Sequence, residues 1–175
     1  MPTYVAFLRA INLGPTRKFP KAAIVAATEA AGGADVATHI NTGNVLLTTS
    51  LRSRAKVEAV LEAAYEADRG FAVPTIVFTP AELRQIAADA DDLAHEGRHY
   101  VSLLKNEPTA AATKVIEGAG GDGARAVVRD RAVHLLVDGD YHSASLTNAE
   151  VEKAFGVATN RNLTVIRALV AKWCG

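Results

Sequence analysis

Arg9 and Asn12 in one short motif, and Asn41, Thr42 and Asn44 in another, are the residues of this sequence best suited to chemistry. An asparagine amide both donates and accepts hydrogen bonds, and a guanidinium is a permanently charged fork that matches phosphate or carboxylate. Arg17 and Lys18 add charge, and a third motif supplies Arg161 and Asn162. Together these side chains suit an anionic or phosphate-bearing ligand, nucleotide-like in its mix of charge and hydrogen-bonding groups. The same residue types also suit structure. Asn and Gly tolerate φ > 0 in the turn Asn41-Thr42-Gly43-Asn44, Asn12 can bond its own loop, and Arg161 and Asn162 can belong to a helix cap. A cation such as Arg161 at a helix start opposes the macrodipole, which makes sense beside an acidic residue or a bound anion.

Two louder motifs carry less. His95-Glu96-Gly97-Arg98-His99 matches H-E-x-x-H, in which two histidines four apart on a helix hold zinc and the Glu activates water. Gly97 interrupts any helix, and Tyr100 to Leu104 reads as a strand, so a solvated loop is the expectation. Gly118-Ala119-Gly120-Gly121-Asp122-Gly123 matches G-x-G-x-x-G. A dinucleotide site needs a strand before that motif and a helix after it, and here the order is reversed. No P-loop, G-x-S-x-G elbow or Cys-His nucleophile pair is present. The sequence calls for no metal and no cofactor.

The elements that must position these residues read as α+β. Tyr4 to Leu8 is a short apolar run and a buried strand. After a Gly/Pro-containing loop, Lys21 to Ala31 reads as a helix stopped by Gly32-Gly33. Val36 to Ile40 and Val45 to Leu47 flank the 41–44 turn as a hairpin. Val57, Val60, Leu61, Ala64 and Tyr65 form one apolar helical stripe, and Val73 to Phe78 is a fourth strand. Thr79-Pro80-Ala81-Glu82 opens a helix with a capping-box pattern. The second half reads as the strand Tyr100–Leu104, a helix from Pro108 to Glu117, a hairpin about Asp130-Arg131, and a helix opened by Thr147-Asn148-Ala149-Glu150. A last helix follows, capped by Thr159 or Asn160. Residues 1–79 thus form a β-α-β-β-α-β subdomain, 80–97 a connecting helix and loop, and 98–175 a second subdomain lacking the last strand. The first order is the ferredoxin-like, split β-α-β arrangement. In it the exit of strand 1 and the turn between strands 2 and 3 share one sheet edge, which brings Arg9 and Asn12 to Asn41, Thr42 and Asn44.

Composition narrows the classes. The chain has 175 residues, 49% of them hydrophobic, enough for a core. Nineteen basic residues balance 19 acidic ones, so no global charge invites nucleic acid or anionic lipid. The third strand carries no aromatic pair for stacking bases, which disfavours RNA binding of the recognition-motif kind and sequence-specific nucleic acid generally. A single cysteine, Cys174, allows no disulfide framework. No window approaches the roughly 20 apolar residues of a membrane span and no secretory signal is visible, so a cytoplasmic protein without membrane partners is expected.

Three stretches carry a family resemblance. Phe7-Leu8-Arg9-Ala10-Ile11-Asn12-Leu13-Gly14, Ile40-Asn41-Thr42-Gly43-Asn44-Val45 and Ala158-Thr159-Asn160-Arg161-Asn162-Leu163-Thr164-Val165 resemble, in order, motifs of the bacterial family called domain of unknown function 1697. The resemblance implies two ferredoxin-like subdomains and assigns no catalytic residue. The chain departs from the family's pattern at Ala10, where glycine is usual, and at Leu163, where tryptophan is usual. His142-Ser143-Ala144-Ser145-Leu146 also replaces a tighter stretch with a lysine.

Three readings follow. The favoured one is a binding module for an anionic small molecule at a rim of Arg9, Asn12, Lys18, Asn41, Thr42, Asn44, Arg161 and Asn162. An enzyme using the same rim is the second, with His39 the nearest histidine to serve as a base. An interaction protein without a small ligand, using a sheet edge or the Trp173 face, is the third. The oligomeric state is left open.

Overall fold

In the computed structural model the described residues are 1–121, 123–139 and 146–175. The chain divides into two compact units, Met1–Pro80 and Ala81–Gly175. The first contains β1 (Thr3–Leu8), α1 (Lys21–Ala30), β2 (Ala34–His39), β3 (Asn44–Thr48), α2 (Arg54–Arg69) and β4 (Thr75–Phe78). Its sheet has the order β2-β3-β1-β4 with every neighbouring pair antiparallel. β1 and β2 therefore run parallel and flank β3.

Alternation along β1 explains the core. Tyr4, Ala6 and Leu8 fall on one face and pack with Val45, Leu47 and Val77 against Ile24 of α1 and Val57, Leu61 and Tyr65 of α2. The buried Tyr65 hydroxyl meets Thr28 Oγ1 at 2.7 Å, and burial pushes its pKa up to about 12. α2 starts at Ser53, whose hydroxyl accepts from Lys56 N–H, and stops at Gly70 with φ 77°.

The second unit contains α3 (Pro80–Leu93, from its second residue), β5 (Arg98–Leu104), α4 (Ala110–Gly118), β6 (Ala124–Arg129), β7 (Ala132–Val137), α5 (Asn148–Phe155), β8 (Ala158–Asn162) and α6 (Leu163–Trp173). Its sheet order, β6-β7-β5-β8, repeats that of the first unit, and again all neighbours are antiparallel. β8 is the strand that the sequence pattern misses. The run Thr159-Asn160-Arg161-Asn162 is polar and full of capping types, so it reads as a helix start. Instead it pairs with β5 from Ala158↔Leu104 to Asn162↔Tyr100. The helix begins after it, with Asn162 rather than Thr159 or Asn160 as the cap: Asn162 Oδ1 accepts from Thr164 N–H at 2.9 Å.

The capping box at Thr147 does form, with the Glu150 carboxylate accepting from Thr147 N–H at 2.9 Å. Tyr100, Leu104, Val133, Leu135 and Ala158 share the sheet face that packs with Ile116 of α4 and Val151 and Phe155 of α5. α3 and α6 are tied at two points, Arg84 to the Cys174 carbonyl at 2.6 Å and Arg167 to Asp91 at 2.7 Å. No helix among the described residues is long and apolar enough to cross a membrane.

Candidate functional site

The expected rim of the first unit exists, and its own hydrogen bonds hold it shut. Leu8 N–H donates to the Gly43 carbonyl at 2.8 Å, which fixes the β2–β3 turn against the exit of β1. Gly43 has φ 82°, and a Cβ there would lie 2.7 Å from Leu8 Cβ, so turn and close approach both require glycine. Asn12 clamps the two segments. Its amide nitrogen donates to the Asn41 carbonyl at 2.8 Å and the Phe19 carbonyl at 3.2 Å, and its Oδ1 accepts from Phe19 N–H at 2.8 Å. Asn44 is fully buried and donates to the His39 carbonyl and to Thr42 Oγ1, each at 3.0 Å. Arg17 stacks 4.5 Å from the Phe71 ring centroid while donating to the carbonyls of Ala10 and Ala72.

Arg9 leaves β1 with its N–H on the Pro74 carbonyl and its side chain half-buried. Asn41, Thr42 and Lys18 are exposed. His39 ends β2 opposite Asn44. Ile40 after it has φ 52°, so strand alternation stops at His39. Asn12 and Asn44 thus act within the protein as the struts of a tight turn.

Arg161 and Asn162 belong to the second unit. Arg161 is a strand residue and not the first residue of a helix, so no macrodipole argument applies to it. It is 7% exposed, donates to Thr159 Oγ1 and the Asn160 carbonyl, and is pushed down to about 10 by burial. Asn162, at the strand's end, lines a cleft of about 520 Å³. The cleft opens between the C-terminal end of α3, the start of β5 and the first turn of α6.

The H-E-x-x-H segment forms another wall of this cleft. It is not helical: Ala94 has φ 49°, and Arg98 and His99 already belong to β5. Its residues face unlike surroundings. Arg98 is exposed, and no described residue pairs with its guanidinium. His99 is 6% exposed, and its Nε2 lies 2.8 Å from Nδ1 of the fully buried His134 on β7. His134 Nε2 has no partner among the described residues. Burial pushes both imidazoles down to about 4. For His99 the neighbouring imidazoles of His134 and His95 and the Arg167 guanidinium add to this, and for His134 Asp89 opposes it. His95 Nε2 sits 3.3 Å from the Val137 carbonyl and 3.6 Å from an Asp138 carboxylate oxygen. Among the described residues no group of three His, Cys, Asp or Glu side chains is arranged to hold a metal ion.

Arg98 and His99 were set aside in the sequence as part of a solvated loop, and His134 and Arg167 were passed over. One signal was available: His134 interrupts the apolar run Ala132–Val137 with a titratable ring. The glycine-rich stretch follows α4 and precedes β6, the reverse of a dinucleotide fingerprint, and its Asp122 lies outside the described residues, as do His142 to Ser145.

The family model described as "Protein of unknown function (DUF1697)" matches residues 1–134. The chain belongs to this family. The match spans the whole first unit and runs into β7, so the third motif, at Ala158–Val165, lies beyond it. In the DUF1697 chain described here the fold also resembles that of conserved bacterial protein SP0830 from Streptococcus pneumoniae. The TM-score is 0.73 at 15% identity, over 98% of each chain, a likeness of fold alone. No curated protein matches the sequence.

Proposed function

We propose that this DUF1697 protein binds a small anionic, phosphate-bearing ligand in the cleft of its second unit. The observation that carries the reading is Arg98, an exposed guanidinium on the cleft wall without a carboxylate partner among the described residues. Around it stand the Asn162-capped start of α6, where N–H groups of a first turn favour anions, and the imidazole of His99. Asn162 is the residue shared with the sequence-based site, whereas the amides of Asn12 and Asn44 already have protein partners. We also infer that each unit is ferredoxin-like, which the repeated order β2-β3-β1-β4 and β6-β7-β5-β8 supports.

Thermal unfolding against a panel of nucleotides and inorganic phosphate tests the site. A ligand at about ten times its Kd adds about 1.4 kcal/mol, roughly 3–6 °C for a chain of this size. The shift should vanish in Arg98→Ala and persist in Lys18→Ala. A shift lost only in Lys18→Ala would assign binding to the first unit's rim, and no shift with any anion would refute the reading.

A further inference from the structure

The fixed charges of the cleft cancel. Arg98 and Arg167 stand against Asp91 and Glu96, and Arg167 is already paired with Asp91 at 2.7 Å. The helix ends also oppose one another, since the C-terminal end of α3 and the N-terminal end of α6 carry partial charges of opposite sign. With the fixed charges balanced, a proton added to the histidines would give the cleft a net positive charge. His99 and His134 share one hydrogen-bonded proton across 2.8 Å. In either neutral tautomer His134 Nε2 lacks a described partner, and His99 Nδ1 has none among the described residues either. One added proton makes the pair cationic. Both outer nitrogens then carry hydrogen, and His99 Nδ1–H becomes a charged donor on a residue that lines the cleft.

We propose that anion capture in this cleft is coupled to proton uptake by the His99–His134 pair, so that the ligand is held more tightly as pH falls. The proposal rests on the anion site inferred above. The groups facing the pair set its direction. Arg129 of β6, Arg167 of α6 and His95 disfavour the extra proton, while Asp89 of α3 favours it. A bound anion supplies the negative charge that offsets the two guanidinium groups, which raises the pair's proton affinity. By linkage, the proton then raises the affinity for the anion by the same factor.

Calorimetric titration with sulfate, whose charge is constant over the range, reads the coupling at about pH 7.5 and about pH 5.5 in buffers of different ionisation enthalpy. The expected result is roughly tenfold tighter binding at the lower pH, with net uptake approaching about one proton per sulfate. In His99→Gln any sulfate binding that remains should no longer change with pH, while His95→Ala should keep the pH dependence. Imidazole nitrogen NMR of the unmutated protein gives a second readout: sulfate should move the His99 and His134 titrations to higher pH. Binding that is lost in Arg98→Ala but does not change with pH would overturn the coupling and leave the site standing. A pH dependence that disappears in His95→Ala would overturn the assignment to the pair. No sulfate binding at either pH would contradict both.

Discussion

At the residue scale, the first unit's rim shows how binding-type residues become structural ones. Ala10, Asn12, Gly14, Ile40 and Gly43 all have positive φ. The chain reverses sharply on both sides of the Leu8–Gly43 contact, and the Asn12 amide and Arg17 guanidinium satisfy the carbonyls that those reversals expose. Ala10, at φ 59°, bears the left-handed conformation with a Cβ. Ala10→Gly should therefore raise stability by up to ~1 kcal/mol, and Gly43→Ala should lower it by more than that, both read from urea unfolding midpoints. An Ala10→Gly variant less stable than the parent would show that the strain is relieved in some other way. These struts could not be told from ligand-readers in the sequence, because an asparagine amide offers the same atoms to a carbonyl and to a phosphate.

At the element scale, both units protect their last edge strand in the same way. The outward N–H groups of Thr75 and Val77 on β4 donate to Glu62 and Glu58 of α2, at 3.1 and 3.0 Å. Ala158 N–H on β8 donates to Glu152 of α5 at 3.2 Å. On the opposite edge of the second sheet, Val128 N–H on β6 donates to Glu117 of α4 at 2.9 Å. Occupied edges are poor templates for another chain, which weighs against strand addition there. Glu58 is 4% exposed, so Glu58→Ala strands a buried N–H and should destabilise by about 1–3 kcal/mol. Glu58→Gln, which keeps an acceptor, should lose less. Equal stability of the Ala variant and the parent would refute this role.

The legible elements were those with an apolar face: β1, the α2 stripe apart from the exposed Val60, and the β6–β7 hairpin follow from periodicity. β8 was not legible, because its buried Thr159 and Arg161 are polar and Asn160 bonds Ser102 at 3.2 Å. Hydrogen bonding there does what apolar side chains do in the other strands. The cleft was illegible for a different reason. Its walls come from the stretch ending at His99 and the stretch starting at Asn162, and β8 is the strand that joins them.

At the scale of the whole molecule, balanced charge leaves local sites to set the response to pH. The His99–His134 pair has folded-state pKa values near 4, below the 6.5 of an exposed histidine. Below 6.5 the unfolded chain takes up protons that the folded chain refuses. The pair's contribution is thus complete above about pH 6.5 and is lost as pH falls toward about 4. The first proton alone accounts for about 2–3 kcal/mol. Urea unfolding at about pH 7 and about pH 4.5 should show this loss, and His134→Leu should reduce it. A midpoint that does not change over that range would exclude a buried neutral pair.

Both proposals for the second unit's cleft depend on an anion binding there. Backbone amide NMR during titration with a nucleotide that raises the melting temperature tests it most directly. The shifts should cluster at Arg98, His99, Asn162 and Thr164. Shifts confined to Asn12, Lys18 and Asn41 to Asn44 would contradict it.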